Sequence, residues 1–190
     1  MYTELSFQLP AMQGLSEKQI AAHLKLYAGY VKNTNTLLET VKELKQDSAK
    51  NAVALSELTR RFGFEWNGMR LHENYFSSLG GSGAIDGNGK LAKAIAETWG
   101  SIDAWVAEFK AMGVMRGIGW VLLVHDETTD HLHNVWVSDH ELGHLAGAKI
   151  LLAMDVWEHA YLLDYLPAER GNYITAFFAN LNFNAVEARY

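Results

Sequence analysis

The sequence predicts an α+β fold: an N-terminal antiparallel helical hairpin, then a domain in which helices cover a three-stranded antiparallel sheet. Three observations predict it. Apolar residues recur at helical spacing from Ser16 to Leu79, with one polar break near Asp47. Ser82 to Gly89 is rich in glycine, serine and asparagine, which ends that pattern and marks the best boundary in the chain. Beyond it, short helical segments accompany three runs of strand length. The boundary predicts two domains, residues 1–82 and 90–190.

Taken in order, residues 1–15 are irregular, with Leu9-Pro10 holding the chain extended at its entry. Ser16 reads as an N-cap with Glu17 in the first helical turn, and the helix it opens runs to about Asp47. A second helix spans about Ala52 to Leu79 and closes at Gly80-Gly81. Gly63 and Gly68 inside it each cost about 1 kcal/mol relative to alanine. Such a glycine serves either a kink or the close approach of something bulky. Lys90–Trp99 and Ser101–Met115 read as short amphipathic helices, the second capped by Ser101. Gly117-Ile118-Gly119 breaks the helical period before the three strand-like runs, Trp120–Val124, Leu132–Val137 and Ile150–Met154. Tyr173 to Phe183 is helical again.

Composition narrows the function. Hydrophobic content of 49% beside 20% charged residues fits an ordinary globular protein, and no apolar run approaches the length that spans a bilayer. Met1-Tyr2-Thr3-Glu4 lacks the basic and apolar parts of a signal peptide. With no cysteine there are neither disulfides nor thiolate metal sites, which fits a reducing, cytoplasmic setting. A formal charge of −6 argues against a nucleic-acid partner, since neutralising phosphates needs a concentrated basic face.

The segment that carries chemistry is Asp155-Val156-Trp157-Glu158-His159-Ala160-Tyr161. An Asp-x-x-x-His pair can face one point in space, on a helical turn or on a tight bend leaving a strand. Carboxylate oxygen with imidazole nitrogen suits iron or manganese. Further ligands must then come from elsewhere. His23 shares a helix face with Tyr27 and Tyr30, and His72 precedes Tyr75-Phe76, so both predicted long helices carry a histidine framed by aromatics.

This string resembles the signature of the iron/manganese superoxide dismutase family, and the resemblance extends over nearly the whole chain. Leu9-Pro10, Ser16 to His23, His72 with Tyr75-Phe76, Gly117 to Trp120 and Arg170-Gly171-Asn172-Tyr173 are each similar to the corresponding family segment, with Gly171 where the family has proline. The resemblance implies His23, His72, Asp155 and His159 as ligands of one iron or manganese ion per chain, with a solvent molecule as fifth ligand and superoxide as substrate. It further implies Tyr30 and His140 as catalytic groups, with Trp120, Trp157, Gly68, Tyr27 and Arg170 around them. Glu158 would bond the partner subunit's His159, with Tyr161 beside that contact, in a homodimer or a tetramer of such dimers.

Two departures from the family pattern lead to further expectations. The family's gateway tyrosine follows the first ligand by eight residues, whereas Tyr30 follows His23 by seven and Val31 by eight. Seven residues on a regular helix return to within about 20° of the ligand's direction, while eight miss it by about 80° unless a π-type turn intervenes. A regular first helix with Tyr30 at the gateway is therefore expected, and Tyr27 stands where the family has a histidine. His140 is expected to hydrogen-bond the metal-bound solvent, and Gly68 leaves room for a side chain arriving from elsewhere. Phe76 and Leu122 stand where tryptophan is usual, which would loosen the pocket wall.

A competing motif is His140-Glu141-Leu142-Gly143-His144, a literal His-Glu-x-x-His. On a helix it would bind zinc for a metallopeptidase. That reading leaves His23 and His72 without a role, and the motif's neighbours look like strands. A third reading is a catalytically silent relative that keeps the fold and binds metal.

Overall fold

The computed structural model describes residues 1–190. Helix α1 (Glu17–Leu44) and helix α2 (Ala52–Ser77) form the hairpin, joined through a 3-10 turn at Lys45–Asp47. Ser16 caps α1 as expected, its hydroxyl accepting from the Gln19 amide at 3.1 Å. Both helices are continuous across the positions that matter below, with no π-turn between His23 and Tyr30.

Helices α3 (Lys90–Trp99) and α4 (Ile102–Gly113) lead into strands β1 (Gly119–Asp126), β2 (His131–Ser138) and β3 (Lys149–Asp155). Gly100, at φ +83°, makes the left-handed turn between α3 and α4, and Ser101 caps α4 through the Ala104 amide. The sheet is antiparallel in the order β2-β1-β3. Each strand runs one or two residues beyond the expected apolar run at one or both ends. The central strand β1 is buried along almost its whole length, which explains its unbroken apolar run where an edge strand alternates. Its pairing sets Trp120 opposite Asp155, so the end of β1 nearest α2 lies at the strand exit of β3.

The C-terminal segment departs from expectation. It is two helices, α5 (Arg170–Ala179) and α6 (Phe183–Glu187), instead of one. The break is made by Asn180, whose side-chain amide donates to the Gln13 carbonyl and accepts from the Gln13 amide while Leu181 bridges to Leu79. Those tertiary bonds outweigh one more turn of helix. A single apolar core of buried residues, from Leu15 to Val186, runs through both halves of the chain.

Candidate metal centre

Packing α1 antiparallel to α2 sets the His23 and His72 rings edge to face, 5.0 Å apart and fully buried. Asp155 is the last residue of β3, and the chain bends as it leaves the strand. The Trp157 amide donates to Asp155 Oδ1 at 2.8 Å, which closes a side-chain turn. A 3-10 turn at Glu158–Ala160 then returns His159 to the aspartate, its Nε2 3.1 Å from Oδ2. Of the two arrangements open to an Asp-x-x-x-His pair, this is the bend from a strand.

Asp155 Oδ2 therefore lies 3.0 Å from His23 Nε2, 3.1 Å from His159 Nε2 and 3.6 Å from His72 Nε2. One donor atom from each of the four residues lies within 4.8 Å of all the others. Metal–ligand bonds of about 2.0–2.2 Å place neighbouring donors about 3–4 Å apart, so the group has the size of a mononuclear site. His72 supplies the sharper test of fit. Its Nδ1 donates to the Gly68 carbonyl at 2.6 Å, which leaves Nε2 as the lone-pair nitrogen. That nitrogen is buried, faces the cluster and has no hydrogen-bond partner. An unpaired buried nitrogen costs free energy unless a ligand such as a metal ion engages it.

Electrostatics agree. Burial pushes the pKa values of His23 and His72 down, keeping the imidazoles in the neutral form that ligates metals. Burial also opposes charge on Asp155, but His159 and His23 beside it outweigh that and hold its carboxyl below the usual range. The buried heart of the site is thus two neutral imidazoles, His23 and His72, beside one carboxylate.

The wall beside the cluster is built from His140, Tyr30, Trp120 and Trp157. The indole N–H of Trp120 donates to His140 Nδ1 at 2.9 Å, and an indole nitrogen can only donate. His140 must then carry its proton on Nε2, which donates to the Tyr30 hydroxyl at 2.8 Å. Both nitrogens are therefore engaged, and the proton expected to go from His140 to solvent at the metal goes to Tyr30. Burial pushes the His140 pKa down to about 4, so this neutral tautomer persists at physiological pH. Trp157 stacks on both His140 and His159, with ring centroids 5.0 and 5.5 Å away.

Gly68 is not a kink. A β-carbon there would lie 2.6–2.8 Å from two carbons of the Tyr30 ring, so the side chain it admits is Tyr30. Val31, the other gateway candidate, is buried in the core. Tyr27, which the resemblance sets around the catalytic groups, lies within the protein core. It is 2% exposed, packs on Phe7 and Phe76, and its hydroxyl accepts from the Leu5 amide and donates to Glu73. Its hydroxyl is thus tied to the N-terminal segment and to α2. Tyr161 is also buried, stacked on Tyr173. Arg170 donates to the carbonyls of Gly117, Val156 and Met115, binding the exit of β3 to the entry of β1.

The His-Glu-x-x-His segment is not helical. It forms turns after β2, and His144 Nε2 donates back to the His140 carbonyl at 3.0 Å. With His140 held by Trp120 and Tyr30, the pair cannot share a zinc ion, which corrects the peptidase reading.

Two contributors were missed in the sequence. Gln19 is fully buried; its amide donates to the His159 carbonyl at 2.7 Å and accepts from the Leu163 amide at 3.0 Å. It lies one turn before His23 on the same face, a spacing that could have pointed to it. Phe64 lies one turn before Gly68, its ring 4.6 Å from His140 and 6.2 Å from Tyr30.

Comparison with known proteins agrees with this geometry. Residues 87–189, more than half the chain, match the family described as "Iron/manganese superoxide dismutases, C-terminal domain". A "Superoxide dismutase [Fe]" of Cupriavidus metallidurans is 40% identical over 182 residues, covering 94% of this chain and 90% of that protein. A "Superoxide dismutase [Mn] 2" of Haloferax volcanii is 35% identical over 190 residues, covering 98% and 92%. The chain belongs to the iron/manganese superoxide dismutase family.

Proposed function

We propose that His23, His72, Asp155 and His159 hold one iron or manganese ion and that the protein is a superoxide dismutase, an oxidoreductase that converts superoxide to dioxygen and hydrogen peroxide. The observation that carries the ligand assignment is the closeness of the four donor atoms, within 4.8 Å of one another, with the buried His72 Nε2 otherwise unpaired. An iron or manganese ion there supplies the one-electron exchange by which two superoxide anions disproportionate. Protein purified without added metal should contain about one atom of iron or manganese per chain and dismutate superoxide. Zinc alone, or metal with no dismutation, would overturn the reading.

The chain's own residues supply proton handling and access. Because His140 donates to the Tyr30 oxygen, the phenol O–H of Tyr30 is left free to donate toward the cluster. Burial, reinforced by the charge of Asp155, raises the pKa of Tyr30 above the usual tyrosine range and keeps that proton in place. Trp120 fixes the His140 tautomer on which this direction depends. The substrate is an anion and the chain carries a formal charge of −6, so attraction must be local. The Arg61 guanidinium sits 3.8 Å over the Phe64 ring beside this wall, with its charge partly offset by a 2.7 Å ion pair to Glu65. Arg170, bound to three backbone carbonyls, is not free for that task.

The exposed surface supports a two-fold dimer next to the site. Glu158 is exposed and its carboxylate bonds nothing within the chain. The His159 side chain is 21% exposed, and its Nε2 faces Asp155 while Nδ1 has no partner. Leu162, Leu163 and Leu166 are 44–67% exposed just beyond it. A Glu158 carboxylate accepting from the partner subunit's His159 satisfies both groups. Glu158→Ala should weaken dimerisation and metal retention together, measured by sedimentation and elemental analysis. A variant that stays dimeric with full metal counts against the contact. No helix is long and apolar enough to cross a membrane, and the lack of cysteine supports a reducing compartment such as the cytoplasm.

A further inference from the structure

The β1–β2 hairpin carries chemistry that the dismutase site does not use. Asp126, at the end of β1, accepts from the Thr128 amide through Oδ1 at 3.0 Å and from the Thr129 hydroxyl through Oδ2 at 2.6 Å. These bonds lower its pKa and keep it ionised. A carboxylate can only accept, so the single hydroxyl proton of Thr129 is committed to Asp126. Thr129 Oγ1 lies 2.9 Å from His131 Nδ1 and must therefore accept from it. His131 carries its proton on Nδ1, and its Nε2 lone pair faces solvent. A hydrogen-bond relay of this kind presets an imidazole for metal binding by fixing tautomer and ring together.

His133 follows two residues later on the same face of β2, so both side chains project from one side of the sheet. The rings are 6.4 Å apart with planes 16° from parallel, both residues are exposed, and neither His133 nitrogen bonds to the chain. Two imidazoles bound to one ion at about 2.0–2.1 Å have ring centres roughly 5–6 Å apart. Rotation of the exposed, unbonded His133 side chain closes that difference. Asp126 pairs opposite His131 in the sheet. The pair lies at the far end of β1 from Trp120, about 20 Å away at strand rise, so it is separate from the buried cluster.

We propose that His131 and His133 form a second, surface metal site that takes a nitrogen-preferring divalent ion, Cu2+ ahead of Ni2+ and Zn2+. Two imidazoles with the remaining positions left to water suit those ions, and affinity for such sites rises to copper. No oxygen-rich cage is present to favour magnesium or calcium. This inference does not depend on the identity of the buried metal.

The test uses the metal-loaded protein and Cu2+ alone as probe, followed by titration and by electron paramagnetic resonance. Wild type should bind one extra equivalent of Cu2+ per chain, with a signature of two nitrogen ligands. His131→Ala and His133→Ala should each abolish that saturable binding, and Thr129→Val should weaken it about tenfold by releasing the tautomer. Iron or manganese content should be the same in all four proteins. Saturable binding that persists in both histidine variants overturns the site, as does the absence of any extra equivalent in wild type.

Discussion

Replacing Asp155 with alanine is expected to abolish metal retention and superoxide dismutation together. Its Oδ2 lies within 3.6 Å of all three histidine nitrogens, and no other carboxylate belongs to the cluster. Removing it takes away one ligand, the negative charge that offsets a cation, and the acceptor for the Trp157 amide that shapes the bend to His159. Losing a partner outside the ligand set typically lowers metal affinity about 10- to 100-fold, so losing a ligand with its charge should exceed that. Asp155→Asn separates the contributions. It keeps an oxygen for the Trp157 amide, so the bend should survive while the charge is lost. Both variants should fold, as judged by circular dichroism, with metal per chain near zero in Asp155→Ala and strongly reduced in Asp155→Asn. Full metal and activity in Asp155→Ala would remove the basis of the proposed site.

Gly68→Ala is expected to lower activity by about tenfold to a hundredfold, although alanine is the better helix former. In an unconstrained helix the change would stabilise by about 1 kcal/mol. Here the new methyl would lie 2.6–2.8 Å from Tyr30 ring carbons. The ring has little room to retreat, since it packs against His72, His140 and Phe64. Overpacking of this kind costs about 1–3 kcal/mol, which cancels or exceeds the propensity gain. The larger consequence is displacement of the Tyr30 hydroxyl from its 2.8 Å bond to His140. Tyr30→Phe should lose activity without the packing penalty, and the double variant should be little worse than either single change. A Gly68→Ala protein with wild-type dismutation would show that Tyr30 is not wedged as described.

Both predictions rest on residues of different legibility. Asp155 and His159 stood out in one local string and His23 and His72 as histidines framed by aromatics, but it was the family resemblance that joined the four into one ligand set. Helical geometry was enough to choose Tyr30 over Val31, because angular position along a regular helix is a local property. Strand and helix boundaries were legible to within a few residues for the same reason. The C-terminal break was not, because Asn180 stops the helix through bonds to Gln13, far away in sequence.

Tyr27 and His140 mark where local reasoning ends. Spacing put Tyr27 on the helix face of His23, but its hydroxyl is satisfied by Leu5 and Glu73, contributed by two other segments. The direction of the His140 proton depends on Trp120, an indole from another strand, and on Tyr30, a phenol from another helix. Gln19 was passed over because a buried glutamine announces nothing until its partners near His159 are in place. By itself, then, the sequence determined residue types, helical faces, strand runs and the Asp-x-x-x-His string, all set by spacing along the backbone. Only the tertiary structure decided which lone pairs face the cluster, which protons point where and which side chain fills the space over Gly68. Those choices belong to hydrogen-bond partners that meet only once distant segments have packed.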